Sequence, residues 1–296
     1  MLGVVLAMTG LVPGQAQKAP APVPATFPVG KEPYGIAFDG ENLWVANLAS
    51  NTVSKIRAQD GGVLGTFETD VEPYGVTFDG ANIWVSSLAS RNVTKLRSSD
   101  GKVLGTFPVP SLPLGWMAFD GANIWVPNGH STITKLRASD GKSLGDFPVG
   151  KSPVMSAFDG TNIWVTNGGD GTVTKLRASD GKSLGTFTLS GAFGIAFDGA
   201  NVWVGQRNGG TVTKLRASDG AVVGTYSVPI EPFGVVFDGN NIWVSGALAV
   251  TELRPTDGVV VNQFQYQGDS TTGIAFDGTN VWVSWVNTGA VGKLKK

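Results

Sequence analysis

The chain has no cysteine, which excludes disulfides, cysteine-bound zinc, iron–sulfur clusters and a thiol nucleophile together. It has one histidine, His130, so any centre that needs two imidazoles is excluded as well. Charge is scarce: 15% of residues are Asp, Glu, Lys or Arg, against about a quarter in ordinary soluble domains. The 22 basic and 23 acidic residues nearly cancel, and a net charge of −1 removes the bulk attraction that a nucleic-acid or anionic-membrane partner would require. No apolar run is long enough to cross a bilayer, which takes about 20 residues; the longest candidate, Met1 to Leu11, falls well short. What is abundant is Gly (42), Pro (16) and Trp (9) within a chain that is 42% hydrophobic. That combination disfavours helices and suits turn-rich β-structure with a real core.

The run Met1 to Leu11, followed by Pro13-Gly14-Gln15-Ala16-Gln17, resembles a secretory leader with a small-residue cleavage site, although its first basic residue is Lys18. Ala19 to Pro24 alternates proline with small residues, as an extended spacer does. Residues 1–25 are therefore expected to be leader plus spacer, with a mature start near Gln17, and the protein periplasmic or extracellular.

From there a period near 40 takes over. Phe-Asp-Gly recurs at 38–40, 78–80, 119–121, 158–160, 197–199, 237–239 and 276–278, spaced 40, 41, 39, 39, 40 and 39 residues. Each copy precedes a tryptophan: Trp44, Trp84, Trp125, Trp164, Trp203, Trp243 and Trp282. Apolar runs within a repeat are short and bounded by Gly, Asp, Asn or Pro, which fits strands; the Asp-Gly pairs are hairpin signals. The first repeat reads as strand A over Gly35–Phe38, B over Leu43–Asn47, C over Val53–Ala58 and D over Leu64–Glu68. Four antiparallel strands per repeat, arranged radially, predict an all-β, seven-bladed propeller over residues 26–296; a β-solenoid, with shorter coils, is the alternative. The last repeat ends after its C strand, Ala290–Lys295, and Thr26-Phe27-Pro28-Val29 matches the D-strand segment Thr106-Phe107-Pro108-Val109. The N-terminal strand is thus expected to complete the seventh blade.

The repeat assigns most of the polar chemistry to scaffold. Thirteen of 17 Asp lie at the A–B or C–D turns, where turn formation explains them better than calcium does. The seven tryptophans read as packing between blades, and Lys95 with Arg97, like their equivalents, as solvated outer-strand residues. Gly145 to Ser152 matches the phosphate-loop pattern, but Pro153 and a strand follow it where a helix is needed. Gly141-Lys142-Ser143-Leu144-Gly145 imitates a nucleophile elbow inside a hairpin.

The B–C and D–A loops share the opposite face, and there the repeats disagree, as a specificity surface would. The D–A loops lead to a channel-mouth ring of Tyr34, Tyr74, Leu114, Val154, Phe193, Phe233 and Thr272. Trp116, beside the one-residue insertion of repeat three, and Trp285 stand outside the register; Glu32, Asp70, Glu72, Arg91, Asp170, Arg207, Glu231, Asp269 and His130 are charges and an imidazole outside the pattern. An aromatic mouth with scattered polar groups suits a small ligand, and the candidate binding residues are Tyr34, Tyr74, Trp116, His130, Phe193, Arg207, Phe233 and Trp285.

Pro33-Tyr34-Gly35-Ile36-Ala37-Phe38-Asp39-Gly40, Leu43-Trp44-Val45-Ala46-Asn47 and Ser50-Asn51-Thr52-Val53 resemble bacterial YVTN and NHL-type propeller repeats, and are particularly similar to the virginiamycin B lyase group. The resemblance covers residues 26 to 296. It implies a propeller fold and an enzyme that opens a cyclic depsipeptide lactone by elimination, using a metal ion with channel-mouth histidine and glutamate. The mouth ring here has no histidine. The residues therefore point first to an exported, monomeric binding module for a small molecule or protein, with no cofactor, no nucleic acid and no membrane span. The alternative is a lyase or hydrolase of that type, with Glu72, Glu231 or Asp269 on a divalent metal.

Overall fold

The structure, a computed structural model, describes residues 24–113 and 115–295. The expected leader, the start near Gln17 and the ring position Leu114 lie outside the described residues.

Each repeat begins with the A–B turn. Asp39 Oδ1 accepts the amides of Glu41 and Asn42 at 3.0 and 2.6 Å, closing the turn, while Oδ2 accepts the Trp44 indole N–H at 2.8 Å. The same carboxylate-to-indole bond recurs in all seven repeats at 2.7–2.9 Å. All seven indoles are fully buried. One aspartate therefore does two jobs, turning the chain and satisfying the single polar atom of the largest core side chain.

Strands then follow as expected: Pro33–Phe38, Asn42–Asn47, Thr52–Arg57 and Val63–Glu68 form one four-stranded antiparallel sheet. Four more sheets repeat this order. The remaining strands make one six-stranded sheet, because the 17-residue strand Val260–Phe276 pairs first with Ile242–Leu253 and then with Asn280–Trp285. The loop expected between the D strand of repeat six and the A strand of repeat seven is instead continuous strand. At the far edge of this sheet Ala25–Pro28 pairs with Ala290–Lys295, Phe27 opposite Val291. The two ends of the chain are joined there by a β-ladder, which covers an edge that would otherwise be open.

The core lies between sheets. Trp44, Ala46 and Val53 of the first repeat pack with Val76, Ile83, Val85 and Leu96 of the second. Each D-strand aromatic stacks on its own tryptophan, from Trp44–Phe67 at 5.5 Å round to Trp282–Phe27 at 5.5 Å. The same ring lies under the C–D turn of the next repeat: a Cβ on Gly101 would sit 2.1 Å from Phe67, and its φ of +72° also requires glycine.

The C-strand lysines correct the expectation of solvated side chains. Lys55, Lys95, Lys135 and Lys175 are 5–9% exposed. Each ammonium lies over its own tryptophan, 4.9–5.3 Å from the ring centroid, and donates to a turn carbonyl of the next repeat, as Lys95 does to Ala138 O at 2.5 Å. The arginine two residues on is the solvated one, pairing with turn aspartates such as Asp60 at 2.9 Å; exposed pairs of this kind are screened by water and add little to stability.

Candidate functional site

The insertion in repeat three reshapes the channel. Its inner strand shrinks to Ala118–Phe119, and Trp116 bridges to the neighbouring inner strand, its amide donating to Val154 O and its carbonyl accepting from Ser156 N, both at 3.1 Å. Gly115 makes this approach feasible, since a Cβ there would lie 1.2 Å from Val154 O. The Trp116 indole reaches Phe233 of repeat six, centroids 6.1 Å apart, and Phe233 meets Phe193 at 4.7 Å. Tyr34 and Tyr74 form a second pair at 5.1 Å. Aromatic rings therefore plug the channel at this level. Burial pushes the Tyr74 phenol far above its ordinary range and Tyr34 adds to it, against a smaller opposing pull from Arg207. Burial also raises Tyr34, helped by Glu32. Both phenols stay protonated at neutral pH and serve as neutral walls.

Beside the plug lies a cavity of about 500 Å³, lined by Ser152, Val154, Gly168, Gly169, Gly191, Ala192, Phe193, Arg207, Asn208 and Glu231. Two departures from the repeat open it. The B–C loop of repeat four opens with Gly168-Gly169, two positions without side chains, and the D–A loop entering repeat five, Leu189-Ser190-Gly191, is a residue shorter than Val149-Gly150-Lys151-Ser152. Arg207 extends over the opening, its guanidinium 4.8 Å from the Phe193 centroid and 5.4 Å from Phe233.

Phe193, Arg207 and Phe233 thus come together at the cavity, with Tyr34, Tyr74 and Trp116 in the adjoining plug. His130 and Trp285 do not join them. His130 is exposed on its loop. Trp285 is 7% exposed and packs on Tyr266, centroids 5.1 Å apart, inside the core between strands. Ser152, Asn208 and the three glycines were not among the candidates; the Gly-Gly pair and the shortened loop were the available signals.

The acidic residues of this face mostly tie loops together. Asp269 accepts the amides of Ser270, Asn287 and Thr288 at 2.8–3.0 Å. Asp70 accepts from Val71 N, Ser90 and Asn92; burial works against its charge, but these three bonds outweigh it and hold the carboxyl below the usual range. Among the described residues no three His, Asp or Glu side chains converge. With Asp269 bound by amides and Glu72 and Glu231 on the loops of different repeats, this donor set does not fit a divalent ion.

No protein-family model matches the chain, and no curated protein matches it. Solved structures do. A virginiamycin B lyase from Staphylococcus aureus superposes with a TM-score of 0.79 at 20% identity, over 92% of this chain and 98% of that one. Its fold is a propeller like that of the lyase. A streptogramin B lyase structure gives 0.77 at 21% identity over 91% and 96%. Kuenenia stuttgartiensis hydrazine synthase gives 0.79 at 16% over 97% and 99%. A virginiamycin B lyase and a hydrazine synthase on one scaffold establish architecture alone.

Proposed function

We propose that this protein is an exported, monomeric, seven-bladed propeller that binds a small ligand in the cavity beside its plugged channel and releases it unchanged. The blade count counts the six-stranded sheet as two blades sharing the strand Val260–Phe276; seven Asp–Trp bonds support it. The observation that carries the function is the cavity itself: about 500 Å³, at the place where two loops depart from the repeat, with a mixed wall in which Val154, Ala192 and Phe193 face Ser152, Asn208, Glu231 and an arginine lying over Phe193. That size and lining suit a small molecule. The lyase reading has the fold behind it but lacks a proton-transfer pair and a metal donor set in this site.

The test is NMR titration of the mature chain with a fragment library. Shifts centred on Val154, Phe193 and Arg207 are expected, and they should weaken in Asn208→Trp, which adds bulk at an exposed position of the cavity lining. Shifts confined to other surfaces would overturn the assignment.

A further inference from the structure

We infer that the cavity takes a small organic carboxylate, its carboxyl seated on Arg207; this rests on the ligand-binding reading above. Arg207 opens the short turn Arg207–Gly209, at a position where the other six repeats place Leu, Gly, Ala or Val. Its backbone amide is occupied by Gly191 O at 2.9 Å. Its guanidinium carbon lies over Phe193 and Phe233, contacts that use the π-faces of the rings and none of its N–H donors as hydrogen bonds. Among the described residues no carboxylate lies within ion-pair distance of it, whereas six other arginines pair with a turn aspartate. A planar guanidinium fork whose N–H donors the chain does not pair matches a carboxylate bidentately.

Glu231 narrows the class. It lines the same cavity, and a second negative charge on the ligand would meet it unfavourably. A dianionic phosphate is therefore a poor occupant. A monocarboxylate bearing a hydroxyl or ammonium donor satisfies Arg207 and Glu231 at once. Val154 and Ala192, both buried in the cavity wall, receive its apolar body.

The experiment uses the full chain and a fragment set of aliphatic and aromatic carboxylic acids, each matched with its primary amide, scored by NMR, with inorganic phosphate as a further probe. Acids should outnumber amides among binders. Arg207→Met, which keeps the stem over the rings, should weaken the acids at least tenfold, about 1.4 kcal/mol, and leave amide binders within threefold. Glu231→Gln should weaken acids that carry an amine more than those that do not. Equal binding of acids and amides, indifference to Arg207→Met, or phosphate binding better than the acids would overturn the carboxylate assignment while leaving a ligand cavity in place. No binder of any class at the cavity would overturn both.

Discussion

Glu252 stands where six repeats carry the C-strand lysine, so an appeal to the repeat average makes Glu252→Lys a stabilising change of about 0.5–2 kcal/mol. The geometry gives the opposite sign. Every lysine of the series donates to carbonyls on the C–D hairpin of the next repeat, from Lys55 to Ser98 round to Lys293 to Ala58. The repeat after Glu252 has no such hairpin, because Ala290–Lys295 takes its outer neighbour from Ala25–Pro28. Glu252, 5% exposed, accepts instead from Asn241 Nδ2 at 2.7 Å and Asn262 Nδ2 at 2.6 Å. A lysine there loses two hydrogen bonds to a charged group, each about 1.5–3 kcal/mol, and buries an ammonium without acceptors, about 3–5 kcal/mol before its stem reaches toward solvent. With the second cost largely relieved at the surface, the expected net loss is about 3–6 kcal/mol, or roughly 6–12 °C in Tm for a domain of this size. Glu252→Gln, which keeps one acceptor, should lose about 1 kcal/mol. Calorimetry of the three proteins decides it: a Tm for Glu252→Lys equal to or above that of the parent would refute the account of the lysines and of the closure together.

Phe27→Ala removes a half-buried ring from Trp282 and should cost about 2 kcal/mol, while removing residues 25–28 should leave Ala290–Lys295 as a free edge and cause concentration-dependent association on size exclusion. An unchanged Tm in both would reject the closure. Burial opposes the charge of Asp198 and Asp277, but hydrogen bonds from Trp203 and Trp282 and from turn amides outweigh it and depress both carboxyls. Their stabilisation is complete above the ordinary carboxylate value of about 3.9 and is lost as pH falls through the lower folded values; a Tm that stays flat from pH 5 to 2 would contradict this. Purified protein should not open a streptogramin B lactone in the presence of magnesium, followed by mass spectrometry, and His130→Ala should leave ligand binding within about tenfold, or 1.4 kcal/mol. Turnover abolished by chelator or by His130→Ala would favour the lyase.

The fold was legible because its determinants are local and repeated. Phe-Asp-Gly-x-Asn-x-Trp contains turn, cap and core residue within seven positions, and the match between Phe27 and Phe107 disclosed the closure. The lysines were misread because alternation along one strand cannot show a carbonyl 43 residues away that takes the ammonium. Trp285 was misread similarly: its break from the register is visible in sequence, but the ring contact with Tyr266 that draws it inward is not. The cavity arises from side chains that are missing, at Gly168 and Gly169, and from one deleted loop residue, so its signal was an absence among residues chosen for their presence.

Glu252 and Arg207 are both single departures in a seven-fold pattern, and their surroundings separate them. Glu252 has both carboxylate oxygens occupied by neighbouring amides, at the one junction where the lysine has no acceptor, so ring closure accounts for it. Arg207 meets no such need. Its amide takes part in the loop, while the guanidinium lies over two rings at a cavity that Glu231 also lines. A charge retained by the fold has its hydrogen-bonding capacity met within the fold. On the ligand-binding reading proposed above, a charge that the fold leaves unpaired over two rings at a cavity is available to a group that the chain does not contain.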